Sequence, residues 1–213
     1  MMIPKLHYIS QDTTPKACLE HIQKACTSGI ELVQLRVKNG SEKKVLKLAK
    51  NIIEITSHYQ TRLIINGHYK VAKAIKADGV HLEKTDVCPT IARKHLEPWQ
   101  MIGATANTLQ DCEMLIAKEV DYVMLSPFRT TTTQDQFDTV LGLNGFTSIV
   151  DVLQTETPIL GFGGITTTDV RAILNTGVSG IAATTAIEQN FDTIKIFNQL
   201  LNASSTQEQR HTF

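Results

Sequence analysis

Polar side chains in this chain gather where apolar runs end. Gln34, Arg36 and Lys38 in "QLRVK" fall on alternate positions, hence on one side of an extended segment. Lys84 and Asp86 follow "GVHLE", and Arg129 opens the run Thr130 to Thr133 after "YVMLSP". A carboxylate among cations suits a magnesium ion carrying oxyanions, because Mg²⁺ prefers a few carboxylates together with phosphate oxygens. Hydroxyls beside an arginine suit phosphate oxygens in the same way. A second group is built largely from backbone. Gly163 and Gly164 in "GFGGITTTD" let N–H groups approach a ligand just ahead of a helix start, and Thr184 and Thr185 end "GIAATT" before another. Together the groups can hold two phosphate-type anions, one on charged side chains and one on N–H groups, and pyrophosphate chemistry follows.

Elements that could position these groups alternate along the chain. Short runs rich in Val, Ile and Leu at 6–10, 32–37, 62–66, 79–83, 100–105, 122–127, 158–164 and 180–185 read as eight strands. Between them lie segments of helical period with proper ends. Thr14-Pro15 opens one that closes before Gly29, and Ser41 starts another, with Val45, Leu46, Leu48, Ala49, Ile52 and Ile53 on its apolar side. Thr108 with Asp111 forms a capping-box pattern, and Thr168 is placed to cap the helix that ends at Gly177. Eight strands alternating with helices predict a parallel (β/α)8 barrel, a TIM barrel, with a doubly wound open sheet as the alternative. In a barrel, ligands bind at the strand C-termini, and the loops after strands seven and eight commonly hold phosphate. Residues 1–202 read as one barrel domain and 203–213 as a polar C-terminal tail.

Composition narrows the function classes. With 213 residues and 21 basic against 21 acidic side chains, no global field draws nucleic acid or an anionic membrane, so an anion needs a local cluster. No apolar run approaches the roughly 18 residues that span a bilayer, and the expected location is cytoplasmic. Cys18, Cys26, Cys88 and Cys112 lack metal-binding spacing and read as buried thiols. His7 and His81 sit in apolar runs and read as core or rim residues rather than catalysts.

The stretches "VQLRVK", "LIIN", "ADGVHLEKTD", "IGATANT", "DYVMLSPFRTTTTQ" and "GFGGITTTDVRAILNTGVSGIAATTAI" together resemble the thiamine-phosphate synthase family, which includes thiazole tautomerase relatives. The resemblance covers nearly the whole chain. It implies a transferase that joins an aminopyrimidine methyl pyrophosphate to a thiazole phosphate and releases pyrophosphate with Mg²⁺. The pyrimidine cation would form as pyrophosphate leaves, and the thiazole nitrogen would capture it. The expected partners are these small molecules, with a homo-oligomer possible. Position by position, the resemblance gives Gln34, Arg36 and Lys38 to the pyrimidine and pyrophosphate, with Asn66 ending strand three and Thr105 near the pyrimidine. It makes Asp86 a magnesium ligand, Thr131 and Thr133 loop hydroxyls for the thiazole phosphate, and Gly163, Gly164, Thr184 and Thr185 its pocket. The expected catalytic residues are the cations Arg36, Lys38 and Arg129, together with Gln134.

Three positions depart from the family pattern. Gly67 stands where the family's Ile-Asn-Asp places a metal-binding aspartate, Glu83 where it has glycine, and Gln134 where a lysine steadies pyrophosphate. Glu83 is the expected substitute metal ligand beside Asp86. The alternatives to a working, weakened synthase are a paralogue that binds thiazole phosphate without coupling, and a thiazole tautomerase. Ser126-Pro127 occupies the place of the histidine that a tautomerase would need.

Overall fold

The computed structural model describes residues 3–11, 14–38, 40–130 and 139–208, with 204–208 as helical backbone only. Eight strands run in parallel and close on themselves in sequence order: β1 (Leu6–Ile9), β2 (Leu32–Leu35), β3 (Arg62–Asn66), β4 (Gly79–Leu82), β5 (Met101–Ala106), β6 (Tyr122–Leu125), β7 (Ile159–Gly161) and β8 (Gly180–Ala183). The helices alternate with them as α1 (Pro15–Thr27), α2 (Glu42–His58), α3 (Tyr69–Ala74), α4 (Pro89–Arg93), α5 (Leu109–Ile116), α6 (Gly142–Leu153) and α7 (Val170–Leu174), and α8 (Thr185–Gln189) and α9 (Thr193–Glu208) end the order. This is the expected closed barrel, not an open sheet.

Period-two patterning explains the layering. On β2, Val33 and Leu35 face the helical ring while Leu32 and Gln34 face the barrel interior, and on β6 Val123 and Leu125 alternate in the same way with Tyr122 and Met124. The main core therefore lies between sheet and helices, where Ile52, Ile22, Phe146 and Phe197 are fully buried. Inside the barrel, Leu32, Ile64 and Met101 form one apolar cluster, and Ile9, Tyr122, Met124, Leu160 and Ala182 form another. His7 and His81 lie fully buried in that interior, as core rather than rim residues.

Local ends follow the sequence in part. The Thr14 side chain caps α1 by accepting from Ala17 N–H, and Thr108 and Asp111 form the reciprocal capping box on α5. Ser41 stands at the start of α2 in extended backbone but makes no side-chain cap bond. Thr168 does not cap α7. Asp169 precedes that helix, and its carboxylate accepts from both the N–H and the hydroxyl of Thr166, which closes the turn one residue later than expected. Helix α9 continues to Glu208, past the boundary expected at residue 202. Strands β2, β6, β7 and β8 stop two or three residues before the apolar pattern does, so Arg36, Pro127, Gly163, Gly164 and Thr184 lie beyond the ladder and Thr185 opens α8. Cys18, Cys26 and Cys112 are buried as expected, whereas Cys88 is partly exposed.

Candidate active site

At the C-terminal ends of the strands a cavity of about 730 Å³ opens. Its basic wall comes from the β2 end. Arg36 and Lys38 both line it, and Arg36 Nε lies 3.8 Å from Glu83 Oε1, with each side chain about one-third exposed (31% and 32%). Below them Gln34 is buried. Its Nε2 donates to Asn66 Oδ1 at 2.5 Å, and its Oε1 has no partner among the described residues. Asn66 thus acts on the cavity through Gln34. Ile9, Met124 and Phe162 contribute apolar surface suited to a flat ring.

The second wall is made by the β7 and β8 loops. Gly163 and Gly164 line the cavity at φ +110 and +70, a region that side chains rarely adopt. A Cβ on Gly163 would also sit 2.8 Å from Phe128 N. Their N–H groups have no hydrogen-bond acceptor among the described residues, and Thr184 and Thr185 line the same wall. Arg129 reaches this wall from behind: Nη1 donates to Gly164 O at 3.0 Å, Nη2 to Asp169 Oδ1 at 2.6 Å, and the guanidinium lies over the Phe128 ring at 4.8 Å. Burial pushes the Asp169 carboxyl up, but hydrogen bonds from Arg129 and Thr166 outweigh it and hold it below the usual carboxylate range. Arg129 therefore braces the glycine loop in this arrangement and is not among the cavity-lining side chains. Thr130 does line the cavity, while Thr131, Thr133 and Gln134 lie outside the described residues.

Asp86 sits apart from the main cavity. It lines a smaller adjoining hollow of about 390 Å³ with Glu83 and Lys84, and its Oδ2 accepts from Glu83 N–H at 2.8 Å. Gly67 explains its position. At φ +73 this glycine leaves space into which Asp86 leans, so that a Cβ added there would lie 3.2 Å from both carboxylate oxygens. Lys84, read from the sequence as an anion ligand, is tied at 2.7 Å to Asp111 in the α5 capping box.

Several site residues were missed by sequence reasoning. Thr105 lines the cavity as expected, but His81 stands directly behind it, with Nε2 2.9 Å from Thr105 Oγ1 and Nδ1 3.1 Å from the Tyr122 hydroxyl. Burial, and secondarily the Arg36 charge, push His81 down to about 3, so its ring is neutral at ordinary pH. Asn107 also lines the cavity and donates to Ser126 O at 2.8 Å. The available signal was the motif order: "GVHL", "IGAT" and "DYVM" place His81, Thr105 and Tyr122 on three consecutive strands.

A family model described as thiamine monophosphate synthase matches residues 6–187. The chain belongs to this family. It is similar to thiamine-phosphate synthases of Flavobacterium johnsoniae, 37% identical over 94% of this chain and 96% of that protein, and of Bacteroides fragilis, 36% identical over 92% and 98%. Among solved structures, a thiamine phosphate pyrophosphorylase from Pyrococcus furiosus superposes with a TM-score of 0.81 at 27% identity, covering 93% of this chain and 96% of that one.

Among the described residues no group of three His, Cys, Asp or Glu side chains converges. Mg²⁺ is usually held by one or two carboxylates, with phosphate oxygens and water completing the shell. Asp86 and Glu83, three residues apart and lining one hollow, meet that smaller requirement.

Proposed function

We propose that this protein joins an aminopyrimidine methyl pyrophosphate to a thiazole phosphate, forming thiamine phosphate and free pyrophosphate. The observation that carries this reading is that one cavity is lined both by Arg36 and Lys38 and by the Gly163–Gly164 and Thr184–Thr185 wall. It therefore offers separate places for two phosphate-bearing substrates. The reaction breaks the bond between the methylene carbon and the pyrophosphate oxygen, whose electron pair leaves with that oxygen. The thiazole nitrogen lone pair then forms the new C–N bond. Such chemistry asks little of general acids or bases and much of positioning and charge stabilisation.

Gln34, set by Asn66, orients the pyrimidine with Thr105, and Arg36 and Lys38 receive the leaving pyrophosphate. The N–H groups of Gly163 and Gly164 with Thr184 and Thr185 hold the thiazole phosphate, and Arg129 keeps that loop in place. Thr131 and Thr133 add hydroxyls to the same phosphate. Asp86 and Glu83 would hold Mg²⁺, which supplies positive charge to the pyrophosphate oxygens as the bond breaks. Gln134 brings no charge where the family uses lysine, so turnover is slow. The reaction belongs in the cytoplasm.

A crystal soaked with thiazole phosphate, pyrophosphate and Mg²⁺ tests this reading. Thiazole phosphate on the glycine wall and pyrophosphate near Arg36 and Lys38 are expected together. Thiazole phosphate alone, with pyrophosphate excluded, would favour a binding protein that does not couple.

A further inference from the structure

His81, Gly103 and Tyr122 occupy one level of three adjacent strands, since His81 pairs with Gly103 and Gly103 with Tyr122. The middle position has no side chain. A Cβ on Gly103 would fall 2.0 Å from Tyr122 Cζ, so the glycine is what lets the phenol lean across β5 to reach His81. The two rings stack at 5.6 Å between centroids, and both residues are fully buried. Two residues further along β5, Thr105 receives the other end of the imidazole and faces the cavity.

His81 is fully buried and hydrogen-bonds only two hydroxyls among the described residues, so its ring carries a single N–H and the chain can run in two senses. If Nδ1 held the proton, it would donate to the Tyr122 oxygen, and the phenolic hydrogen would be left without an acceptor, because Tyr122 has no other hydrogen-bond partner among the described residues. A buried donor without an acceptor is costly, and a buried tyrosine hydroxyl usually finds a partner. In the other sense Tyr122 donates to Nδ1 and Nε2–H donates to Thr105 Oγ1, leaving only an unused lone pair on the phenol. The threonine hydrogen is then free to point at the cavity.

We propose that Tyr122 and His81 are positioning residues that make the Thr105 hydroxyl a hydrogen-bond donor toward the cavity, where it selects an unprotonated ring nitrogen of the bound pyrimidine. The choice of ligand rests on the function proposed above, whereas the direction of the chain does not. Gln34 complements it: with its amide nitrogen given to Asn66, the unpartnered Oε1 is an acceptor. A donor and an acceptor match the ring nitrogen and exocyclic amine of an aminopyrimidine.

Protein labelled with ¹⁵N-histidine tests the direction, with the His81 resonances assigned by their loss in His81→Gln. Nε2 protonated and Nδ1 bare is the expected wild-type spectrum, with tautomers mixing in Tyr122→Phe. Calorimetry with the aminopyrimidine methyl pyrophosphate alone tests the consequence. Tyr122→Phe should weaken binding about five- to tenfold, with no further loss in a Thr105→Val background, no effect on thiazole phosphate, and wild-type affinity in Thr105→Ser. A protonated Nδ1 in the wild type would overturn the proposal, as would a Tyr122→Phe loss that is equal for both ligands or persists without the Thr105 hydroxyl. If the wild type bound no pyrimidine pyrophosphate, the proposed function would fall, and the spectrum alone would decide the direction of the chain.

Discussion

At the residue scale, Gly67 and Asp86 share one small space: a Cβ at position 67 would lie 3.2 Å from both carboxylate oxygens of Asp86, which accepts from Glu83 N–H. Gly67→Asp sets a second carboxylate beside the first in a left-handed backbone, which should cost about 1–2 kcal/mol without metal. Mg²⁺ would relieve that repulsion, so the variant's melting temperature should rise more with Mg²⁺ than the wild type's. Equal responses would count against a metal site at Asp86. Gln134→Lys should raise the coupling rate by on the order of 10- to 100-fold by returning one stabilising charge, as measured by initial rates with both substrates. The residues themselves were readable from motifs, but their present partners were not. Arg129 stood in the sequence as an anion-binding cation, yet it is turned onto Asp169, 40 residues away in the chain. No local pattern encodes such a pairing.

At the element scale, strand existence and order were legible because strands covered on both faces read as short runs of Val, Ile and Leu between segments of helical period. Strand ends were not, since apolar residues keep alternating into the loops after the ladder hydrogen bonds stop, as "LSPF" and "GFGG" do. The same mismatch explains the α7 start. Thr168 matched a capping pattern, but Asp169 takes two hydrogen bonds from Thr166 and one from Arg129, and so fixes the turn more firmly. Asp169→Ala should therefore cost about 1–2 kcal/mol in urea unfolding, discounted for the exposure of Arg129. Because it loosens the glycine loop rather than the basic wall, it should raise KM for thiazole phosphate and leave that for the pyrimidine substrate nearly unchanged. A change in the pyrimidine KM alone would contradict the bracing role.

At the scale of the whole molecule, the barrel interior is polar at its middle, and this makes stability depend on pH. Burial, then the neighbouring His81, push His7 down to about 3, and burial, then Arg36, do the same to His81, against an ordinary 6.5. Below pH 6.5 the unfolded chain binds protons that the folded barrel refuses, so stability falls as pH falls. Between pH 6.5 and 5 each histidine should remove roughly 1.5 kcal/mol, before most carboxylates titrate. Chemical unfolding across that range checks this, and His7→Phe should reduce the slope by about half, whereas an unchanged slope would place the titration elsewhere.

The same whole-molecule view sets the decisive test of function. On the proposed function, the two phosphate-type walls of one cavity hold both substrates together for reaction. Purified protein incubated with aminopyrimidine methyl pyrophosphate, thiazole phosphate and Mg²⁺ should form thiamine phosphate slowly, with one pyrophosphate released per product. Absence of thiamine phosphate from both the wild type and the Gly67→Asp, Glu83→Gly, Gln134→Lys triple variant, with thiazole phosphate still bound, would contradict coupling and leave a binding protein in its place.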